Sequence, residues 1–553
     1  MKSDRNTGVK KPCPPLGLPS ITIEPSQSAK YLGIMLGQHL KWTQQLASVH
    51  RKGSKWTAQI KRLTRPTWGL TPNGVQKLFV SVVLPCILYR INVWCTPIHG
   101  RNMNGNRKGS VAFIKKLVSV QHAGVIAVTG GFRTSPTDTL VVHAALLPIN
   151  LKIEKVCHDA ITRIATLPQE HLLHKLIRKS AKRQIKQHQS PLHTLTSIFG
   201  LDPSKMERTP PVHTHPKKRS LQRVRLDIPP DKDKSKRVDK NALESIRVYS
   251  DGSVHDGGVG MAAVLKCKGK PDRTLKLYLG TKEQHTVYEA KLVGMIMGLY
   301  LMKTEARNKT TCVLNANNQA ALVAIKLEMN RSGQHLAANI LQIAKQLLDH
   351  KGNKNSRLMS RWTAGHMGIQ GNEDADKIAK AAAKGENSDK KDLPPCLRKE
   401  IGYSLSATRQ ARNKKLKTRW TKTWAKSPRF MCSRFKDLLM PHSQKYLKYI
   451  NNRKVSRRIA SMIFQLRVGH ALLNGYLYRF KKVDSPQCLA CRHPKETPEH
   501  FLLHCPSYAH KHWPIINQKR GRHPKFTESL SNPKLLLPLA NYIKATEQFK
   551  LDK

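Results

Sequence analysis

The chain has 553 residues with 98 Lys+Arg against 35 Asp+Glu, a formal net charge of +63, which is room for roughly two to four domains and an excess that folded domains rarely carry without a polyanion partner. The basic residues run the whole length instead of forming one amphipathic helix, no apolar run of membrane-span length or signal-peptide type is read, and nucleic acid is therefore expected as the partner and a membrane is not. Eleven cysteines, an odd number mostly far apart, argue against a secreted disulfide framework and for an intracellular setting, nucleus or cytoplasm.

Residues 1–202 read as mainly helical. Near the start, Ile21-Thr22-Ile23 and Lys30 to Ile34 suggest a short hairpin. Val75, Leu78, Phe79 and Val82 recur at helical spacing up to Pro85, and a second apolar helix over Val111 to Val128 stops at Gly130-Gly131. Trp56 and Trp68 are expected in the core, with Cys86 and Cys157 as small buried hydrophobes. Residues 203–244 are Pro-, Lys-, Arg- and His-rich and read as a basic linker.

Residues 245–385 read as an α/β domain. Strands are expected at Ile246–Ser250, Val259–Leu265, Leu275–Leu279, Thr311–Leu314 and Arg357–Trp362, with a turn at Asp256-Gly257-Gly258. Helices are expected over Val287–Lys303, Gln319–Leu327 and Asn372–Ala383. This order predicts a mixed, five-stranded sheet covered by helices. A second basic connector occupies 386–417. A helical, basic region follows over 418–520, where Trp420, Trp424, Phe430 and Phe435 stand among Lys and Arg, and 521–553 forms a tail. There is no short-period repeat.

Within the α/β segment, acidic residues fall at element ends. Asp251 ends the first strand in Tyr-Ser-Asp-Gly-Ser, Glu289 lies in the first turn of a helix in Thr-Val-Tyr-Glu-Ala, and Asp376 lies in the last helix. Two-metal phosphodiester hydrolysis needs several hard oxygen ligands converging from different elements, to hold two dications ~4 Å apart. Each residue also has an ordinary structural reading. Glu289 with Thr286 is a capping box, Asp251 could be a turn residue and Asp376 a solvated helix charge. The ordered set favours the ligand reading.

Ser250-Asp251-Gly252-Ser253, Tyr288-Glu289-Ala290, Asn318-Gln319-Ala320-Ala321 and the run Gly365-His366 through Gly371-Asn372-Glu373 to Asp376 occur in the order of RNase H type 1 domains, and the segment from about Ile246 to Lys384 resembles that family. The resemblance implies an RNase H-like fold and an RNA–DNA hybrid ribonuclease. It makes Asp251, Glu289 and Asp376 ligands of two Mg²⁺ ions, places His366 on a mobile loop that helps protons or product to leave, and puts Asn318 and Gln319 against nucleic acid. Asn317 departs from the pattern, since the family places a third acidic ligand there. The amide brings no charge, so the second metal site and the hydrolysis are expected to be impaired. Asp374 points to nearly the opposite side of its helix and Glu373 would need rearrangement, so neither replaces it. The alternative reading is a non-catalytic nucleic-acid-binding remnant.

Cys488-x2-Cys491-x8-His500-x4-Cys505 has the spacing of a closed, structural Zn²⁺ site, with His493 and His504 as poorer substitutes. Together with Leu466 to His470 before it and Cys505 to Tyr508 after it, this resembles the C-terminal zinc-binding region of non-LTR retrotransposon polyproteins. Lys30 to Gly33, Trp68-Gly69-Leu70 and Thr129 to Thr134 resemble the post-palm and thumb parts of their reverse transcriptases, especially fungal ones. No Tyr-x-Asp-Asp motif precedes Lys30, so the palm is missing and polymerase activity is expected only from a partner retroelement protein. Lys61-Arg62, Lys115-Lys116 and the run from Arg178 to Lys186 are expected to face a duplex backbone. Lys217-Lys218-Arg219 could serve nuclear import.

Overall fold

The computed structural model describes residues 15–17, 19–37, 41–182, 189–209, 224–305, 312–324, 332–349, 358–428, 444–451, 455–512, 515–516, 522 and 524–549. Lys217 to Arg219, Phe430, Phe435 and residues 183–186 of the basic run lie outside them. Residues 158–415 form one compact unit, and residues 1–157 with 416–553 form another.

In the 158–415 unit the strands are β1 (Val224–Asp227), β2 (Ile246–His255), β3 (Gly258–Cys267), β4 (Arg273–Thr281), β5 (Cys312–Ala316) and β6 (Leu358–Trp362). The helices around them are α1 (Lys232–Lys240), α2 (Val287–Glu305), α3 (Gln319–Ala324), α4 (Gln334–Leu348) and α5 (Gln370–Ala383). The sheet order is β4-β3-β2-β5-β6-β1. β2, β3 and β4 pair antiparallel, while β5 runs parallel to β2 and β6, and β6 parallel to β1. The β2–β3 hairpin turns on Asp256 (φ 47°) and Gly257 (φ 86°), the left-handed pair that a two-residue turn needs to match the strand twist.

β2 alternates between two cores. Val248 joins the one under α2 and α4, and Tyr249 joins Val264, Ile369 and Ala375 on the α5 side. With helices on both faces, β3 is buried from Gly258 to Leu265. The mixed sheet and its covering helices are those expected, but the sheet has a sixth strand. β1 and α1 come from the stretch read as linker. Val224 is buried in the core, Arg361 on β6 donates to Asp227 (2.9 Å) and Glu244 (2.9 Å), and Tyr249 donates its hydroxyl to Asp239 on α1 (2.6 Å). A lysine-rich sequence is thus held in place by the partners of its few acids.

The adjoining connectors are also structured. Glu207 lies across the starts of two helices, accepting from Ser332 Oγ (2.6 Å) and Gly333 N (2.8 Å) before α4 and from Leu405 N (2.7 Å) at the start of Leu405–Ala425. Burial pushes its carboxyl up, but bonds from His335, Ser332, Gly333 and Leu405 outweigh it and hold it below the usual range.

In the other unit the expected early hairpin is replaced by two. Leu16–Gly17 pairs with Thr22–Ile23, and Ser28–Tyr31 pairs with Ile34–Gly37. The helix begun at Pro72 continues past Pro85, because a π-helical stretch over Phe79–Val83 precedes it. The wider turn shifts the apolar phase, so Val83 is buried and Val82 only half-buried. On the helix Thr43–Leu63 the buried face is Leu46, Val49, Gly53, Thr57 and Ile60. Trp56 falls one position off that stripe and is exposed, as is Trp68, against the expectation for both. Val111–Thr129 is long and apolar enough to cross a membrane by length and composition, contrary to the sequence reading. Its Leu117, Val120, Val125 and Val128 are buried within the unit.

Gly130 explains why the start and end of the chain share this unit. A Cβ there would lie 2.1 Å from Ser461 Oγ, so glycine permits the helix Arg457–Val468 to dock. Arg457 then donates to the Val128 and Ala127 carbonyls (2.8 and 2.6 Å) and Gln465 to Gly130 O (2.8 Å).

Candidate functional site

Asp251 and Asn317 become neighbours through strand register. The parallel ladder between β2 and β5 ends at Ser250 opposite Ala316, so the next residue on each strand is Asp251 and Asn317. Asp251 does not end its strand, however, because β2 continues four residues further along β3. This position, just past the carboxyl end of the parallel ladder, is where α/β sheets commonly hold ligands. A Cβ on Gly252 would lie 2.7 Å from Ala290 Cβ and 2.8 Å from Lys291 N, so glycine lets the start of α2 close on the strand beside Asp251.

The side chain that α2 sends to this corner is Lys291. Lys291, Gly294 and Gly298 form a stripe at i, i+3 and i+7, and Cβ positions on the two glycines would lie 3.3 Å from Asp251 O and 2.8 Å from Val248 Cγ1. Lys291 Nζ lies 2.7 Å from Asp251 Oδ1 and also donates to Asn317 Oδ1. Asn317 Nδ2 donates to Asp251 Oδ2 at 2.7 Å, which closes a triangle. Asp251 Oδ1 further accepts from Gly252 N at 2.6 Å.

Glu289 lies two residues before Lys291, about 200° away around the helix. It makes the capping box: Oε2 accepts from Thr286 N (2.8 Å) and Thr286 Oγ1 (3.0 Å), and Glu289 N donates to Thr286 Oγ1 (3.2 Å). Its Cγ lies 3.6 Å from where a Gly333 Cβ would be. Among the described residues no hydrogen bond or ion pair joins it to Asp251, Asn317 or Asp376. Burial drives its pKa up to about 7, and the Glu207 carboxylate adds to this. The folded state therefore binds a proton that the unfolded chain releases near 4.5. The associated stability is complete below that pH and is lost as pH rises through about 7. In urea titrations the midpoint of the protein should fall between pH 4.5 and 7 relative to Glu289→Gln. Parallel curves would contradict this placement.

Asp376 on α5 is partly exposed and pairs with Lys380 at 2.6 Å. The Asp376 carboxylate, with a smaller contribution from Asp251, holds the Lys380 ammonium above its usual range, which places both acids in one field. Asp374 faces elsewhere, toward Lys266 (2.8 Å) and Gln370 (2.7 Å), and Glu373 accepts from Gly368 N (2.9 Å). His366 is exposed with φ 57° on the loop between β6 and α5. A Cβ on the adjacent Gly365 would stand 3.9 Å from Asn317 Nδ2, so this loop passes the site. Asn318 caps α3 by accepting from Ala321 N (3.0 Å), and Gln319 beside it is exposed.

The donor set does not fit a pair of Mg²⁺ ions as arranged. Both Asp251 oxygens are engaged, Asn317 turns an N–H toward one of them, and an ammonium stands between the two side chains. Lys291 was missed in the sequence because the resemblance of Tyr288-Glu289-Ala290 to the family's motif drew the ligand reading to Glu289. A partial signal was there: Lys291 shares a helix face with Gly294 and Gly298, small residues that allow another element to approach closely.

The second cluster gathers Cys488, Cys491, His500 and Cys505, whose ligand atoms all lie within 4.8 Å of one another. Cys491 Sγ to His500 Nε2 is 3.2 Å and Cys488 Sγ to Cys505 Sγ is 3.9 Å. A tetrahedral ion with bonds of ~2.0–2.3 Å needs ligand separations of roughly 3.3–3.8 Å, so the residues fit a metal. Cys488 to His493 forms the tight turn, with Cys488 N bonded to His493 O (2.9 Å) and Arg492 left-handed at φ 61°. His500–His504 is a π-helical turn, which brings positions five apart, His500 and Cys505, onto one side. His493 and His504 are exposed, and the His493 ring stacks on His500 at 4.3 Å.

The family model for RNase H matches residues 243–384, the part of the sheet that begins at β2, together with its helices. Residues 243–384 form an RNase H domain. The chain is 25% identical over 123 residues, 22% of its length, to a retrovirus-related Pol polyprotein from a type-1 retrotransposable element R1 of Nasonia vitripennis. It is 24% identical over 125 residues, 23% of its length, to a putative 115 kDa protein of the type-1 element R1DM of Drosophila melanogaster. The matches span 31% and 11% of those relatives. Among solved structures it is similar to RNase H1 of Halobacterium salinarum, with 15% identity, a TM-score of 0.20, and coverage of 26% of this chain and 98% of that one. The RNase H domain thus sits in a chain similar to retrotransposon polyproteins, and β1, before residue 243, completes its sheet.

Proposed function

We propose that the RNase H domain engages RNA–DNA hybrids at the Asp251 corner and leaves them essentially uncut. The observation that carries this is Asn317 donating to Asp251 where the family's pattern has an acid. Two-metal hydrolysis draws on the negative charge of several converging ligands to hold the ions and to activate water. Here Asp251 and Asp376 are the acids that share the corner, and Glu289 is committed to its helix start. Binding remains supported by the family of the domain and by the net charge of +63. Exposed Lys115, Lys116 and Arg62, together with Trp56, supply phosphate and stacking contacts in the other unit.

For the cysteine–histidine centre the proposed ion is Zn²⁺, held by Cys488, Cys491, His500 and Cys505. Four protein ligands leave no open position, so the ion would staple the fold and take no part in a reaction. An intracellular setting, nucleus or cytoplasm, goes with this reading.

Fluorescence anisotropy with a labelled hybrid tests it. The full chain should bind, with affinity falling on the order of 1,000-fold between ~50 and ~200 mM salt if about six phosphates are contacted. A chain that fails to bind hybrid at low salt would sink the proposal.

A further inference from the structure

We propose that Lys291 is the resident cation of the RNase H domain: its ammonium fills the focus of Asp251 and Asn317 that a divalent ion would otherwise take, and offers a seat to a nucleic-acid phosphate without metal. The seat for phosphate rests on the hybrid-binding reading above, whereas the exclusion of metal stands on the site's geometry alone.

Three observations converge. The glycine stripe of α2 fixes Lys291 over β2, so the lysine is delivered to the corner by helix packing and is not a stray surface charge. Its side chain is 16% exposed and that of Asp251 6%. Asn317 matches it, because one amide serves both neighbours, giving an N–H to Asp251 and its oxygen to Lys291. An aspartate at 317 would set two carboxylates at hydrogen-bond distance with no proton between them, which disfavours ionisation of both. Finally, the charges balance. Lys291 offsets Asp251, Lys380 offsets Asp376, and Asn317 adds none. A corner without net negative charge has little hold on a strongly hydrated dication. Lysine at 291 and asparagine at 317 therefore act as a pair, and making position 317 acidic alone leaves the site closed. Of the three ammonium protons, two are used by Asp251 and Asn317, and the third is available to a phosphate oxygen.

The test is Mn²⁺ binding by electron paramagnetic resonance on the zinc-loaded full chain, with Asp251→Asn as the blank for this site. The protein and Asn317→Asp should match the blank to within about tenfold. The double variant Lys291→Glu/Asn317→Asp should gain affinity by on the order of 100-fold, the scale of changes made in a metal's surroundings. That gain should vanish on adding Asp251→Asn and survive adding Glu289→Gln. Site-specific Mn²⁺ binding by the unaltered protein at the strength of the double variant would overturn the proposal. So would a full gain from Asn317→Asp alone, or a double variant folded by circular dichroism that gains nothing.

A second measurement does not depend on the folding of the double variant. Hybrid affinity of the unaltered, zinc-loaded protein should be equal in Mg²⁺-free buffer and in Mg²⁺ at matched ionic strength, and Lys291→Met should weaken it about tenfold while reducing the log–log salt slope by about 0.9, one phosphate's share. A Mg²⁺ requirement in the unaltered protein would overturn the seat. Absence of any hybrid binding would defeat the hybrid-binding reading, leaving the Mn²⁺ series to decide the role of Lys291 by itself.

Discussion

Serine in place of Cys505 is expected to unfold the 488–505 segment and to loosen the C-terminal helix packed on it. Cys488 and Cys505 are buried, and burial, with smaller contributions from the Cys491 thiol and the Glu496 carboxylate, pushes the Cys488 thiol up to about 12, so without a cation these sulfurs are poor thiolates in a polar turn. The segment also anchors its surroundings. Phe501 packs on Tyr542 and Phe549 at 5.4 and 5.3 Å, and the Tyr542 hydroxyl donates to Phe501 O. Structural zinc contributes roughly 10–16 kcal/mol in small peptides, and even a modest share of that should remove the protection of amides 488–505 in hydrogen exchange. A chelator should reproduce the loss in the unaltered protein and add little to Cys505→Ser. His504→Ala, at an exposed position, should change almost nothing. Equal protection with and without chelator would show that no metal holds this turn.

Arg361→Ala is the second large effect. The guanidinium is buried between Asp227 on β1 and Glu244 just ahead of β2, 2.9 Å from each. Removing it leaves two carboxylates facing each other beneath the edge of the sheet. Breaking such a buried pair costs on the order of 3–5 kcal/mol, discounted here because Asp227 is one-third exposed. Urea unfolding should shift by about 3 kcal/mol, and deleting residues 224–244 should do at least as much harm. A shift under about 1 kcal/mol would mean that β1 and α1 are ornaments to the domain.

The cysteine–histidine turn was readable in the sequence, and the β1 edge of the sheet was not. The spacing Cys-x2-Cys-x8-His-x4-Cys is local and carries its chemistry openly. The β2–β3 hairpin was equally plain, since Asp256-Gly257 separates two apolar runs. β1 was hidden because a four-residue edge strand inside a lysine-rich stretch has too few residues to show a period. Its partners, Arg361 and the strand β6 that carries it, are far away in sequence. α4 was different: Leu336, Ile340, Leu341, Ala344, Leu347 and Leu348 repeat at helical spacing and could have been read.

The site was half legible. Register places Asp251 beside Asn317 as the ordered motifs implied, and the missing charge at 317 was visible in the sequence. Lys291 was not, because a side chain two residues from a plausible ligand points to the other side of its helix, and only packing decides which of the two faces the sheet. The exposed Trp56 teaches the same lesson, since one residue off an apolar stripe is enough to move a tryptophan from core to surface.

Whether the corner cuts is settled most directly by single-turnover incubation of a labelled RNA–DNA hybrid with excess full chain and Mg²⁺. Intact RNA is expected from the unaltered protein and from Asn317→Asp, with any cleavage confined to Lys291→Glu/Asn317→Asp and abolished by adding Asp251→Asn. Cleavage by the unaltered protein that Asp251→Asn abolishes would contradict this expectation.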